Sequence, residues 1–225
     1  VLGGHTSFPS VIRAWIYSFH MPLFFLISGM WFKAKPLTIS LKKTFHSCLA
    51  PYFVYSAVFT VANVAVYRDM NVFRINLIDT FMGKGACNVL WFLFSLFFVE
   101  NIYQLLTKAI KKPVWAAALL MVLSVILRLF GVPNVLFLLS SAQALFFYAI
   151  GASFCNPAVL EQKFSAFSLV ICSVMHTLSF ALCYKLSEQK LDLSDAKLGA
   201  FPISLFTALA GIGALLVFSW YLAKY

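Results

Sequence analysis

Ser18-Phe19-His20-Met21-Pro22-Leu23-Phe24-Phe25-Leu26-Ile27-Ser28-Gly29-Met30-Trp31-Phe32 reads as the body of a membrane span that carries a histidine and a proline in its first half. Counted from about residue 14, the apolar run is long enough to cross a bilayer, which takes about 20 helical residues. An ionisable group at membrane depth is costly, so its presence is a functional hypothesis by default. A second histidine, His5, lies upstream in Val1-Leu2-Gly3-Gly4-His5-Thr6. Two histidines bracketing one short extramembrane turn point to chemistry at the membrane rather than to a plain anchor. Pro22 has no amide hydrogen and cannot bond the carbonyl of Ser18, which predicts a kink beside His20. Ser28 and Gly29 read as a close helix–helix contact.

Outward from this block the rest of the chain is equally apolar. Of 225 residues, 62% are hydrophobic and 11% charged, against about 25% charged in a soluble domain. With a mean hydropathy of +0.91, the chain is an all-α polytopic membrane protein, its backbone hydrogen bonds closed inside each span. Seven segments have the length to span, about 14–32, 48–67, 88–107, 114–131, 135–154, 165–184 and 200–223. Residues 1–3 read as the end of an earlier span, and a single membrane-embedded domain over 1–225, truncated at both ends, is expected. The stretch between the second and third segments reads as a connection.

The net charge of +10 would suggest nucleic acid in a soluble protein. Here the basic residues sit mostly between apolar spans, so they read as topology signals and contacts to anionic membrane lipids, with no nucleic acid implied. The densest clusters, 33–43 and 108–112, fall on one side if segment 14–32 runs inward, which makes that side cytoplasmic. Loop 186–199 is then outside. Cys48, Cys87, Cys155, Cys172 and Cys183 have no metal-ligand spacing and read as small buried residues without a disulfide framework.

His5 is the leading candidate for chemistry. An imidazole titrates near neutral pH and suits a general base for a hydroxyl acceptor, and Gly3 and Gly4 beside it permit close backbone approach. The competing reading is an interfacial loop histidine. His20 is a second candidate, against a hydrogen-bonded histidine facing the protein interior. Glu100 and Asn101 read either as a cavity wall or as an interior hydrogen-bonding pair. Arg13 could bind a glycan or phosphate, or snorkel to the interface. Lys35, Lys42 and Lys43 could hold an anionic cosubstrate, or act as topology signals. Trp91 reads as packing or as a substrate contact. His176, mid-span, reads as a satisfied interior histidine, and His46 carries no separate signal.

His5-Thr6 followed by Trp15-Ile16-Tyr17-Ser18-Phe19-His20-Met21-Pro22-Leu23-Phe24-Phe25-Leu26-Ile27-Ser28-Gly29 closely resembles the start of acyltransferase family three. These are integral-membrane O-acyltransferases that include the fucose 4-O-acetylase-like glycan acetylases. Leu90-Trp91-Phe92-Leu93 and Leu145-Phe146-Phe147-Tyr148-Ala149-Ile150-Gly151 look like two later family blocks, in the family's order. The resemblance implies about ten spans, and a charged partner that would lie upstream of Val1, eleven positions before His5. It implies acetyl transfer from acetyl-CoA, a cosubstrate rather than a bound cofactor, to a hydroxyl of a cell-surface glycan or its lipid-linked precursor in a bacterial inner membrane. His5 would be base or transient acyl carrier, His20 a positioning group, Arg13, Glu100, Asn101 and Trp91 substrate contacts, and Lys35, Lys42 and Lys43 contacts to the phosphates of CoA. The alternative is a transporter or channel-like protein with an intramembrane histidine proton relay. Against it, no inverted repeat is visible.

Overall fold

In a computed structural model, residues 10–87, 89–154, 165–186 and 192–224 are described. His5 and Cys155 lie outside these residues. The helices are α1 (Ser10–Tyr17), α2 (His20–Met30), α3 (Leu37–Thr44), a π turn (Phe45–Leu49), α4 (Ala50–Tyr67), α5 (Met70–Phe81), α6 (Trp91–Ala109), α7 (Pro113–Leu129), a 3-10 turn (Val135–Phe137), α8 (Leu138–Phe154), α9 (Ala166–Leu186) and α10 (Ile203–Lys224). Among the described residues the only β pairing is an isolated bridge between Asp192 and Lys197. The helical fold class expected from hydropathy is the one observed.

Among the described residues, five helical runs are long and apolar enough to cross a membrane: Val11–Met30, Leu37–Tyr67, Val135–Phe154, Ala166–Leu186 and Ile203–Lys224. Two of the seven expected spans differ. Helix α7 has 17 residues, about 26 Å at 1.5 Å per residue, short of a hydrocarbon core of about 30 Å. Helix α6 carries Glu100, Asn101, Gln104 and Lys108 within 19 residues, which lowers its hydropathy. The expected connection after residue 67 contains helix α5. Arg68 turns the chain at φ 50°, and Asp69 caps α5 by accepting from the Asn71 amide at 2.8 Å.

The chain divides into two compact units: Val1–Phe32, Phe147–Leu193 and Lys197–Tyr225 in the first, Lys33–Phe146 and Ser194–Ala196 in the second. In the first unit, the expected kink is a full break. Helix α1 stops at Tyr17, Phe19 takes φ −135° and ψ −20°, and α2 starts at His20. In an unbroken helix the Pro22 ring would strike the carbonyl of Ser18. The break places Pro22 in the first turn of α2, where amide hydrogens have no helical partner. Leu23 then donates to Phe19 O at 2.9 Å. Further along, a Cβ on Gly29 would run into the Tyr148 carbonyl, and one on Gly151 into the Leu26 carbonyl. The backbones of α2 and α8 meet at two reciprocal glycines, which bears out the close contact expected at Gly29.

In the second unit, the run Leu37–Tyr67 buries every fourth residue: Ser40, Thr44, Cys48, Tyr52, Ser56 and Thr60. The first half of this row packs on α6 and the second on α5. Tyr52 Oη donates to Thr80 O at 2.6 Å, joining α4 to α5. Of the cysteines, Cys48 is buried as expected, whereas Cys87, Cys172 and Cys183 are part-exposed; all four are free thiols.

Candidate functional site

Leu37–Tyr67 is 31 residues long, about 46 Å of helix against a hydrocarbon core of about 30 Å. The surplus belongs at its polar beginning, which carries Lys42 and Lys43. There Thr38, Ile39, Lys42, Lys43, His46 and Ser47 line an open cleft of about 730 Å³. Lys35, just before the helix, has its ammonium close to that of Lys43. Their repulsion holds Lys35 below the usual lysine range, with a smaller opposing pull from Glu100. Two crowded ammonium groups at the edge of a cleft are suited to an anion, which relieves their repulsion. The structure thus brings the three expected lysines to one place.

The opposite face of the same helix is fixed by buried polar bonds. Ser40 Oγ donates to Asn101 Oδ1 at 3.1 Å, and Asn101 Nδ2 donates to Thr44 Oγ1 at 2.9 Å and to Phe97 O at 2.7 Å. The Lys35 amide donates to Gln104 Oε1 at 3.1 Å, and Gln104 is 2% exposed. In apolar surroundings each such group is costly to leave unpaired, so the network sets the rotation of α3. Asn101 sits in this clamp, with its amide taken up by α3 and its own helix. Glu100, its neighbour, is part-exposed and acts electrostatically on Lys35. Trp91 is buried and stacked on Phe137, with ring centroids 5.6 Å apart at 16°; its ring packs against this neighbour.

In the first unit, His20 opens α2. Its Nδ1 lies 3.2 Å from Ile16 O and its ring meets Tyr17 edge-on at 4.6 Å. A carbonyl only accepts, so Nδ1 carries the hydrogen, which in the neutral form of the ring leaves Nε2 as an acceptor. Arg13 is exposed in α1. His176 is 2% exposed. Its Nδ1 donates to Thr207 O at 2.9 Å, whereas its Nε2 has no protein hydrogen-bond partner. The expected satisfied histidine is therefore satisfied at one nitrogen. Its ring is held edge-on by Trp15 and Phe19, which flank the α1–α2 break, and Gly211 leaves room for it, since a Cβ there would come within 2.8 Å of the imidazole.

His46, which carried no separate signal in the sequence, also lines this cleft. What it shares with the other lining residues is spacing: Thr38, Lys42 and His46 recur every four residues, as do Ile39, Lys43 and Ser47.

Long apolar helices, small residues at a helix contact and buried polar clamps define a polytopic helical membrane protein. The family model of the acyltransferase domain, acyltransferase family three, matches residues 1–225, and the chain belongs to that family. It is an integral-membrane acyltransferase, as the His5 and His20 blocks implied. No match was found among curated proteins or among solved structures.

Proposed function

We propose that this acyltransferase moves an acetyl or related acyl group from acyl-CoA to a hydroxyl of a cell-surface glycan or its lipid-linked precursor, in a bacterial inner membrane. The observation that carries the reading is the cleft lined by Lys42 and Lys43, with Lys35 close to Lys43, a cationic seat for the phosphates of the donor. Family membership supplies the acyl-transfer chemistry. His5 acts as general base. It takes the proton of the acceptor hydroxyl as that oxygen attacks the thioester carbonyl. The C–S bond then breaks, and the CoA sulfur leaves with the proton returned by His5. His20, with Nδ1 committed to Ile16 O, offers Nε2 to orient a substrate hydroxyl, and Arg13 contacts the acceptor.

The donor half of the reading is tested by Lys43→Gln in native membranes, following acetyl transfer against acetyl-CoA concentration. The expected result is a rise of about five- to tenfold in donor KM, the loss of one charge-assisted contact, with kcat little changed. A donor KM unchanged in Lys43→Gln and in Lys42→Gln removes the cleft from the donor site.

A further inference from the structure

The histidine joins the lysines where a π turn begins. An α-helix advances 100° per residue, so a step of four overshoots a full turn by about 40°, and two steps by about 80°. A row spaced by four therefore winds slowly around a straight α-helix, as the buried row does when it passes from α6 to α5 along α4. The turn at Phe45–Leu49 instead closes hydrogen bonds five residues apart. Its wider winding brings a step of four nearer to one full turn. The last step of two rows, Thr44 to Cys48 and Lys42 to His46, runs into this turn, the earlier steps lying within α3. Ser40, Thr44 and Cys48 stay buried, while Thr38, Lys42 and His46 stay on the cleft. The buried row, locked by Asn101, keeps the segment from rotating the exposed row away.

We infer that His46 is a donor-binding residue, its ring N–H contacting a phosphate ester of the nucleotide end of acyl-CoA between Lys42 and Lys43. The inference rests on the donor reading above and adds to it a residue and the device that positions it. The chemistry of the lining agrees. His46 is exposed and meets the Phe45 ring edge-on, centroids 5.7 Å apart, and neither of its ring nitrogens has a protein hydrogen-bond partner among the described residues. Thr38 and Ser47 add hydroxyl donors, and Ile39 an apolar wall. Two ammonium groups, an imidazole and two hydroxyls on one strip match a dianionic phosphate ester better than a lone carboxylate, which would leave donors unused.

The test is calorimetric binding of CoA itself to the protein in nanodiscs of zwitterionic lipid, with Lys43→Gln as control. His46→Ala is expected to weaken CoA binding about tenfold, the scale of one hydrogen bond to a charged group. His46→Gln, which keeps an N–H donor, is expected to recover most of that loss, and acceptor KM to stay unchanged in both. Wild-type binding by His46→Ala alongside weakened binding by Lys43→Gln overturns the inference and leaves the donor reading standing. Wild-type binding by both overturns the two together. In nanodiscs containing phosphatidylglycerol, a loss of bound anionic lipid in His46→Ala with CoA binding intact assigns the phosphate to lipid and overturns the inference.

Discussion

At the scale of single residues, the lysine pair is the most informative electrostatic feature. Lys35 is held below the ordinary lysine range chiefly by the charge of Lys43. As pH rises, Lys35 therefore gives up its proton below the usual lysine range, and the local attraction for a phosphate weakens with it. Lys43→Gln removes the repulsion and should shift the Lys35 titration upward, and bound CoA should do the same. NMR titration of labelled lysine amines reads both shifts; an unmoved Lys35 in Lys43→Gln would show that the two ammonium groups do not interact. Asn101 is the second such residue. Asn101→Ala leaves Ser40 Oγ without its acceptor and Thr44 without a donor, and should cost about 1–3 kcal/mol for the buried groups left unpaired. Thermal unfolding in detergent should register that loss, with a rise in donor KM because α3 is freer to turn. An unchanged melting temperature would mean that water replaces the amide.

The scale of elements shows what local sequence could and could not reveal. The break before His20 was legible because Pro22 is forbidden a place four residues after a helical carbonyl. Pro22→Ala should let α1 and α2 join. Spin labels at Val11 and Met30 should then move apart in distance measurements, while the melting temperature holds or rises; an unaltered distance would show that the break is set by Trp15, Phe19 and His176 packing instead. The contact at Gly29 was legible from small-residue logic, but its reciprocal glycine at Gly151 lies more than a hundred residues away. Gly29→Leu should separate α2 from α8 and abolish accumulation of folded protein, since the obstacle is the Tyr148 backbone rather than a movable side chain. Helix α5 was missed because Arg74, Asn71, Asn76 and Asp79 hide its apolar content from a hydropathy reading. The start of the Leu37–Tyr67 run was missed for the same reason: Lys42, Lys43 and His46 made a helix look like a loop.

For the whole molecule, the membrane-embedded helical class was legible from composition alone, because 11% charge cannot cover a soluble surface of this size. The family was legible from the His5 and His20 blocks, and the match over residues 1–225 bears it out. The arrangement of the site was less legible. Asn101 bonds Ser40 and Thr44 across some sixty residues of chain, a pairing that no spacing rule predicts, and it explains Asn101 as the support of a cleft. Lys42 and Lys43 lie in α3, whereas His46 joins them from within a π turn that hydropathy does not register. On the proposed reading, a phosphate-bearing donor binds at the polar beginning of this one long helix, and His5 takes the proton of the acceptor.

That assignment is tested most directly by transfer of radiolabelled acetyl from acetyl-CoA to glycan in membranes holding the wild-type protein or His5→Ala at equal abundance. The expected result is label in the glycan fraction with wild type, and a loss of about 10²- to 10⁴-fold in rate with His5→Ala, at an unchanged affinity for CoA. Normal transfer by His5→Ala, or glycan uptake without any acetyl-CoA consumption by the wild type, would contradict it.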